Sequence, residues 1–188
     1  PFDVDTNGVN GDDNSHYSRG SSDYLAFGHG CVNDSEDADV ILHEYGHGIQ
    51  SNINSSWTGG DTGAMGEGFG DYWAGSYSHG ATNGATYHPE WVFTWDGHGS
   101  CWSGRMLNRT DAKYNSSRTY SAHQSVTEGG VTFQSDELWS APLFESLKSL
   151  KAAGKTREDV DKIILQAHFG LGSGVKMPAM ATAIVNAA

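Results

Sequence analysis

The sequence predicts an α+β fold, with a small β-hairpin region at the front and a mainly α-helical lobe at the back. Alternating polar and apolar residues in "HYSRGSSDYLAFG" (16–28) predict two short strands joined by a turn. Two segments with the spacing of helices follow, and apolar residues recur at helical spacing again from residue 135 onward. With 188 residues, the chain has the length of a single domain.

The composition is that of an acidic globular protein. The formal net charge is −12, so phosphate groups would repel the chain, and we expect neither a nucleic acid nor an anionic membrane as its partner. No apolar run approaches the roughly 18 residues that span a bilayer. No signal peptide opens the chain, which begins at Pro1, so we expect a mature or excised domain. We also expect a secreted monomer whose signal peptide and propeptide have been removed.

The front half contains two predicted helices. "NDSEDADVILHEYGHGIQSNIN" (33–54) predicts the first, with Ser35 as its N-cap and acidic residues in its first turn. "AMGEGFGDYWAGSYS" (64–78) predicts the second in spite of its glycines, which cost about 1 kcal/mol each relative to alanine. Glycines that occur in a helix in spite of this cost indicate close packing of that helix against a neighbour, here the first helix.

The back half is predicted to be helical after an irregular stretch. Residues 81–130 show little periodicity, and helices are expected from residue 135 to the C-terminus. Thr156 and Asp159 form the pattern of a capping box at the start of one of them. We expect an N-terminal lobe of residues 1–78 and a C-terminal lobe of residues 79–188 to form one unit.

Cys31 and Cys101 are the two cysteines of the chain. An even number of cysteines in a protein of an oxidising compartment favours a disulfide, and two free thiols are the alternative. The disulfide is the prediction.

A metal-binding pattern lies in the first helix. His43 and His47 are four residues apart, which puts both imidazoles on one helix face, and Glu44 follows the first of them. This is the HExxH pattern, in which the histidines bind zinc and the glutamate acts on a water molecule. Because so short a pattern recurs by chance, a third ligand is needed to support it.

The second helix supplies a third ligand. Glu67 follows His47 by twenty residues, and Asp71 lies four residues further on the same helix face. A histidine that binds a metal usually donates its other ring N–H to a carboxylate, which is the role expected for Asp71. The alternative is a solvated acidic face, but the apolar residues around both positions disfavour it.

These motifs resemble a known family. "HEYGH" followed by "GEGFGD" is similar to the gluzincin metallopeptidases, and above all to the fungalysins and the thermolysin-like bacterial enzymes related to them. The segments "ELWSAPL" and "DKIILQAHF" resemble the same branch. The resemblance implies a zincin-type catalytic core and a zinc endopeptidase that acts on proteins or peptides.

The resemblance also implies roles for single residues. His43, His47 and Glu67 would bind zinc, Glu44 would be the general base, and Asp71 would orient His43. Asn14 and Ser15, in a segment that resembles the edge strand of the family, would bind the backbone of the substrate. Apart from the resemblance, Arg105 and Arg109 are candidates to hold the substrate carbonyl, and a plain surface role is the alternative.

The donor that stabilises the oxyanion is not settled by the sequence. Relatives have a histidine just before a helix that resembles "SDELWSAPLFESL", and this chain has none there. Gln134 fits that position best, and His123 in "YSAHQS" is the rival if its loop folds back. The loss of such a donor costs on the order of 10²–10³ in rate, so a catalytically impaired zinc-binding module is one alternative function.

Two other expectations complete the sequence analysis. Asp3, Asp5, Asn7 and Gly8 resemble the start of a calcium loop, which makes Ca²⁺ a possible second cofactor, although Asn14 stands where the terminal glutamate is expected. An aminopeptidase of the same clan is the second alternative function. Such enzymes grip the free amine with a segment before the metal helix, and "GAMGEG" here lies after it.

Overall fold

The computed structural model describes residues 3–5 and 8–188, with the backbone alone for residues 3–5. It has an α+β fold, in which a small three-stranded sheet and two metal-facing helices precede a mainly helical lobe, as predicted. The strands are β1 (Asp3–Asp5), β2 (Ser15–Ser18), β3 (Tyr24–Phe27), β4 (Trp91–Val92), β5 (Arg105–Met106), β6 (Ser125–Glu128) and β7 (Val131–Gln134). The helices are α1 (Ala38–Ile53), α2 (Thr62–Gly80), α3 (Glu137–Ala152), α4 (Arg157–His168) and α5 (Met177–Ala187).

The predicted hairpin is confirmed and is completed by β1. The strand order is β1-β3-β2, with β2 antiparallel and β1 parallel to β3. β3 buries Leu25, Ala26 and Phe27 because it is the central strand, whereas β2 lies at an edge of the sheet. Within residues 3–5 and 8–188, only one side of β2 pairs with a strand, and its other side is an edge of the sheet.

Helix α1 begins later than predicted. Asp37 is its N-cap and accepts a hydrogen bond from the backbone N–H of Asp39. The prediction of Ser35 as N-cap is wrong, because residues Asp34–Glu36 form a separate 3-10 turn that ends where the α-helix begins. A carboxylate at this position also complements the positive end of the helix dipole.

Helices α1 and α2 pack closely through glycines, as their sequences predict. A Cβ at Gly46 would lie 3.2 Å from Gly70 Cα, and one at Gly70 would lie 2.6 Å from His43 Nδ1. The absence of side chains at these positions lets the two backbones approach one another. This approach sets the distance between the two histidines on α1 and the carboxylates on α2.

The prediction that residues 81–130 are irregular is wrong in part. Two hairpins occur in and beside this region, β4–β5 and β6–β7. The second turns at Gly129 and Gly130, whose φ angles of 60° and 83° are those a two-residue hairpin turn requires.

The C-terminal lobe consists of α3, α4 and α5. The capping box at the start of α4 is confirmed: Thr156 accepts from the N–H of Asp159, and Asp159 accepts from that of Thr156. Leu143, Leu147 and Ile164 join the core, which is continuous with the buried face of α2.

A disulfide joins Cys31 to Cys101, as predicted. It links the turn before α1 to the loop between β4 and β5. Within residues 3–5 and 8–188, none of the helices combines the length and the apolar character needed to cross a bilayer.

Candidate metal centre

Three side chains converge between α1 and α2. His47 Nε2 lies 3.1 Å from His43 Nε2, and Glu67 Oε2 lies 3.2 Å from the same His43 atom. The remaining distance, from His47 Nε2 to Glu67 Oε1, is 3.7 Å. His43 is buried, and His47 and Glu67 keep about a fifth of their side chains exposed, at 21% and 17%.

This geometry fits a zinc ion. Imidazole nitrogens and carboxylate oxygens bind zinc at about 2.0–2.2 Å, and tetrahedral geometry then puts neighbouring ligand atoms about 3.3 Å apart. The three observed distances, from 3.1 to 3.7 Å, are close to that value. Three protein ligands, two of which keep part of their side chains exposed, are typical of a catalytic site rather than a structural one.

Asp71 holds the other side of His43. Its Oδ1 lies 2.9 Å from His43 Nδ1, and it also accepts hydrogen bonds from Arg105 Nε at 3.0 Å and Nη2 at 2.8 Å. A proton on Nδ1 that is donated to Asp71 leaves the lone pair of Nε2 directed at the ligand cluster. Despite its burial, the charge of Arg105 keeps the pKa of Asp71 below its ordinary value.

Charges in the ligand cluster are strongly coupled. Burial favours the neutral form of His43, but hydrogen bonds to Asp71 and Glu67 outweigh it and raise the pKa to about 9. Burial and the charge of His43 lower the pKa of His47 to about 4. Burial opposes ionisation of Glu67, yet hydrogen bonds from His123 and His43 hold its pKa well below the usual range. His43 and Glu67 therefore form an ion pair of opposite charges.

Glu44 lies beside the ligands and is available for other chemistry. It is 7% exposed, and one carboxylate oxygen lies within 4.8 Å of a ring nitrogen of both His43 and His47. Among the described residues, no lysine, arginine or histidine forms an ion pair with it. Burial raises the pKa of Glu44, as suits a group that accepts and returns a proton.

The cluster opens into a cleft of about 450 Å³. Asn14 and Ser15, at the start of edge strand β2, line one wall, and Arg105 lines another. The guanidinium of Arg105 lies 4.6 Å from the ring centre of Phe93, and both side chains line the cleft. The predicted substrate-binding residues are thus brought to the same cleft as the predicted ligands.

Of the two rival oxyanion donors, His123 reaches the cleft. Its Nε2 lies 3.1 Å from Glu67 Oε2, and its Nδ1 lies 2.9 Å from Asp136 Oδ2. Hydrogen bonds to Asp136 and Glu67 raise its pKa to about 10. Gln134 is exposed at the end of β7 and does not line the cleft.

Sequence reasoning missed Asp136, which is fully buried and accepts from both the ring and the backbone N–H of His123. Only a weak signal in the sequence indicates this role of Asp136, because "SDEL" at the start of a helix is typical of a helix-capping segment. It also missed Asp13, Asp34 and Asp96 as cleft residues. These come from three separate segments, and no spacing in the sequence links them.

The predicted calcium loop cannot be placed. Asn7 lies outside the described residues, and only the backbone of Asp3 and Asp5 is described.

Comparison with known proteins identifies the family. The family model for Fungalysin metallopeptidase matches residues 29–181, which include both metal-facing helices and most of the helical lobe. A search of curated proteins found no match. The His43-Glu44-His47 motif, the geometry of a zinc site and this match over most of the chain lead to one conclusion: the chain belongs to the fungalysin family of zinc metallopeptidases.

Proposed function

We propose that this metallopeptidase is a secreted endopeptidase that cleaves internal bonds of proteins and peptides, with Glu44 as its general base. The observation that carries the proposal is the position of Glu44, buried beside the two imidazoles and free of any ion pair among the described residues. When bound by His43, His47 and Glu67, zinc would lower the pKa of a water molecule to about 7 and polarise a carbonyl group.

Glu44 would take a proton from the attacking water and return it to the leaving amine. Its raised pKa, which burial causes, makes the Glu44 carboxylate a stronger base toward that water. Asp71 would keep the proton of His43 on Nδ1, so that Nε2 stays a ligand. Arg105, held by Asp71 and Phe93, would donate to the carbonyl oxygen of the substrate.

His123 would stabilise the oxyanion. The protein chain supplies a directed N–H at Nε2 because Asp136 binds Nδ1 and so orients the ring toward the cleft. This arrangement disfavours the alternative of a catalytically impaired zinc-binding module. That alternative was based on the lack of a histidine just before α3 to stabilise the oxyanion. A donor held in position for the oxyanion typically contributes 10²–10³ in rate.

Asn14 and Ser15 would align the substrate as an added strand. β2 is an edge strand whose first residues line the cleft, so an extended peptide bound there would lie alongside the edge of the sheet. Strand addition holds a peptide along its length and does not require a free terminus, which favours an endopeptidase over an aminopeptidase.

The wider organisation follows from the same proposal. The lobes of residues 1–78 and 79–188 would act as one catalytic unit, as a monomer and without nucleic acid. The disulfide between Cys31 and Cys101 supports an oxidising, extracellular site of action.

The test compares Glu44→Gln with the parent on an internally quenched peptide that is blocked at both ends. We expect zinc content to stay equal and kcat to fall by about 10²–10⁴, the usual contribution of a general base. Glu145→Gln, an exposed glutamate on α3, is the matched control and should keep full activity. Equal rates for Glu44→Gln and the parent would overturn the role of Glu44, and cleavage of free but not blocked peptides would indicate an aminopeptidase.

A further inference from the structure

A second group of carboxylates lies in the cleft, outside the zinc ligands. Asp13, Asp34 and Asp96 each contribute one oxygen, and these three atoms lie within 4.8 Å of one another. Asp34 is 3% exposed and Asp96 is 7% exposed, whereas Asp13 is open to solvent. The three come from the loop before β2, the 3-10 turn before α1 and the loop after β4.

Two of the buried oxygens lack partners. Asp34 Oδ2 accepts from Ser15 Oγ, and Asp96 Oδ2 accepts from Trp102 Nε1, but the Oδ1 atom of each is buried and hydrogen-bonded to nothing. No lysine, arginine or histidine in residues 8–188 forms an ion pair with any of the three. Buried charges are normally paired or bound to a metal, so these oxygens are suited to binding a cation.

The segments that carry the three carboxylates are held in place independently. The Asp37 carboxylate accepts from the backbone N–H groups of Trp95 and Asp96, at 2.9 and 2.8 Å. The backbone N–H of Asp34 donates to the carbonyl of Gly28. The disulfide between Cys31 and Cys101 joins the same two regions of chain. The carboxylates are therefore brought together by the fold and not only by their own contacts.

We propose that Asp13, Asp34 and Asp96 bind a calcium ion, at a site separate from the zinc centre. Carboxylate oxygens are the preferred ligands of hard cations, whereas the zinc site supplies two imidazole nitrogens. Three negative charges in one place bind a divalent ion strongly, and calcium completes its shell of six to eight oxygens with water or backbone carbonyls. The exposure of Asp13 leaves an entry path for the ion.

The ion would also act on the cleft wall. Asp34 holds Ser15 through a hydrogen bond of 2.6 Å, and Asn14 directly follows Asp13. Calcium would therefore fix the first residues of β2, which line the cleft. This inference does not depend on the proposed peptidase mechanism, because binding is measured in a chain that lacks the general base.

The experiment uses zinc-loaded protein carrying Glu44→Gln, which prevents self-digestion and keeps the zinc ligands occupied. Calcium is titrated by calorimetry, and thermal unfolding is followed with and without calcium. The test variant adds Asp34→Asn and Asp96→Asn, and the control adds Asp12→Asn, an exposed neighbour of Asp13. Terbium is a second probe, since Trp102 beside Asp96 would sensitise its emission.

We expect one calcium ion to bind and to raise the unfolding temperature by several degrees, because a ligand bound only to the folded state stabilises it. The double asparagine variant should lose this rise, the calorimetric signal and the terbium emission, whereas Asp12→Asn should keep all three. Circular dichroism of the calcium-free proteins checks that both variants fold. The asparagines remove charge repulsion, so we expect no loss of structure.

Two results would overturn the proposal. One is calcium binding of equal strength in the parent and in the double variant. The other is an absence of calcium binding in the Glu44→Gln protein. In that case, a preference of the active parent for peptides with lysine or a free amine, lost in the double variant, would identify the ligand of these carboxylates. The carboxylates would then recognise a cation of the substrate and not a metal ion.

Discussion

The Nδ1 atom of His43 lies 2.9 Å from Oδ1 of Asp71, and Arg105 donates to the same oxygen. One carboxylate thus links the metal-facing imidazole of α1 to a guanidinium that lines the cleft. Carboxylates in this position orient the ligand and raise its basicity. In the proposed function, Asp71 would therefore connect zinc binding to substrate binding.

Replacing Asp71 by asparagine should weaken zinc binding. We expect a loss of about 10–100-fold in affinity, because His43 keeps its ring but loses the charged acceptor that orients it. Zinc affinity is measured by competition with a chelator of known strength. Asp161→Asn is the matched control: Asp161 is also buried and accepts from Tyr72 and Ser76, so its variant should lose stability but not zinc affinity. Equal zinc affinities in both variants would contradict the role of Asp71.

Replacing His123 by glutamine should slow the reaction with little effect on KM. We expect kcat to fall by about 10²–10³, because the donor to the oxyanion is misplaced and uncharged. Zinc content is measured in parallel, since His123 also contacts Glu67. Gln134→Ala should keep kcat within about twofold, as Gln134 lies outside the cleft. The opposite pattern would assign the role to Gln134.

Replacing Asn14 by alanine should raise KM and leave kcat unchanged. One hydrogen bond contributes about 0.5–1.5 kcal/mol, which corresponds to roughly a two- to tenfold change. Ser18→Ala, at the far end of the same strand, is the control, since Ser18 does not line the cleft. A fall in kcat alone would show that Asn14 does not bind the ground state of the substrate.

Removing the disulfide should destabilise the protein by about 4 kcal/mol, the loss expected from opening a loop of this length. Cys31 and Cys101 are separated by 70 positions in the sequence. The measurement is urea unfolding of the double serine variant. Parent protein treated with reductant should unfold at the same urea concentration as the double serine variant. If reductant leaves the unfolding midpoint of the parent unchanged, the disulfide does not stabilise the fold.

Acid should destabilise the fold through His168. Burial lowers its pKa to about 4 from 6.5. As the pH falls below about 6.5, the unfolded chain binds a proton that the folded chain does not, so the free energy of unfolding decreases until about pH 4. The loss reaches about 3 kcal/mol.

The measurement compares the parent with His168→Gln, in saturating zinc, by urea unfolding at several pH values. The difference between the two free energies should change by about the same 3 kcal/mol between pH 7 and pH 4. His29→Gln is the control, since His29 is exposed. Parallel curves for the parent and His168→Gln would contradict the prediction.

The parts of the fold that local patterns encode could be predicted from the sequence. The spacing of His43 and His47 identifies a helix face, and Thr156 with Asp159 identifies a helix start, because both depend on residues a few positions apart. The hairpin around Gly129 and Gly130 also had a local signal, two glycines between alternating residues. This hairpin was not predicted because the apolar residues in the surrounding chain show no regular spacing.

The rest depends on contacts between distant segments. Ser35 was predicted to cap α1, but it lies in a separate 3-10 turn. The backbone N–H of Asp34 in that turn donates a hydrogen bond to the carbonyl of Gly28, a residue outside the turn. His123 reaches Glu67 only because Asp136, thirteen residues later, holds its loop. Nothing in the local sequence of either residue indicates the partner. The sequence therefore predicts His43, His47 and Glu67 as zinc ligands, which the structure brings together, and leaves the choice between His123 and Gln134 open.

The contact between Gly70 and His43 limits how this enzyme can change. Because a methyl group at position 70 would lie 2.6 Å from the imidazole, a substitution at this position would displace His43. Position 66 differs, since a Cβ there would meet only ordinary contacts at 3.6 Å and beyond. An engineer who seeks a more heat-resistant catalyst could therefore place alanine at 66 and should exclude 70 from any library.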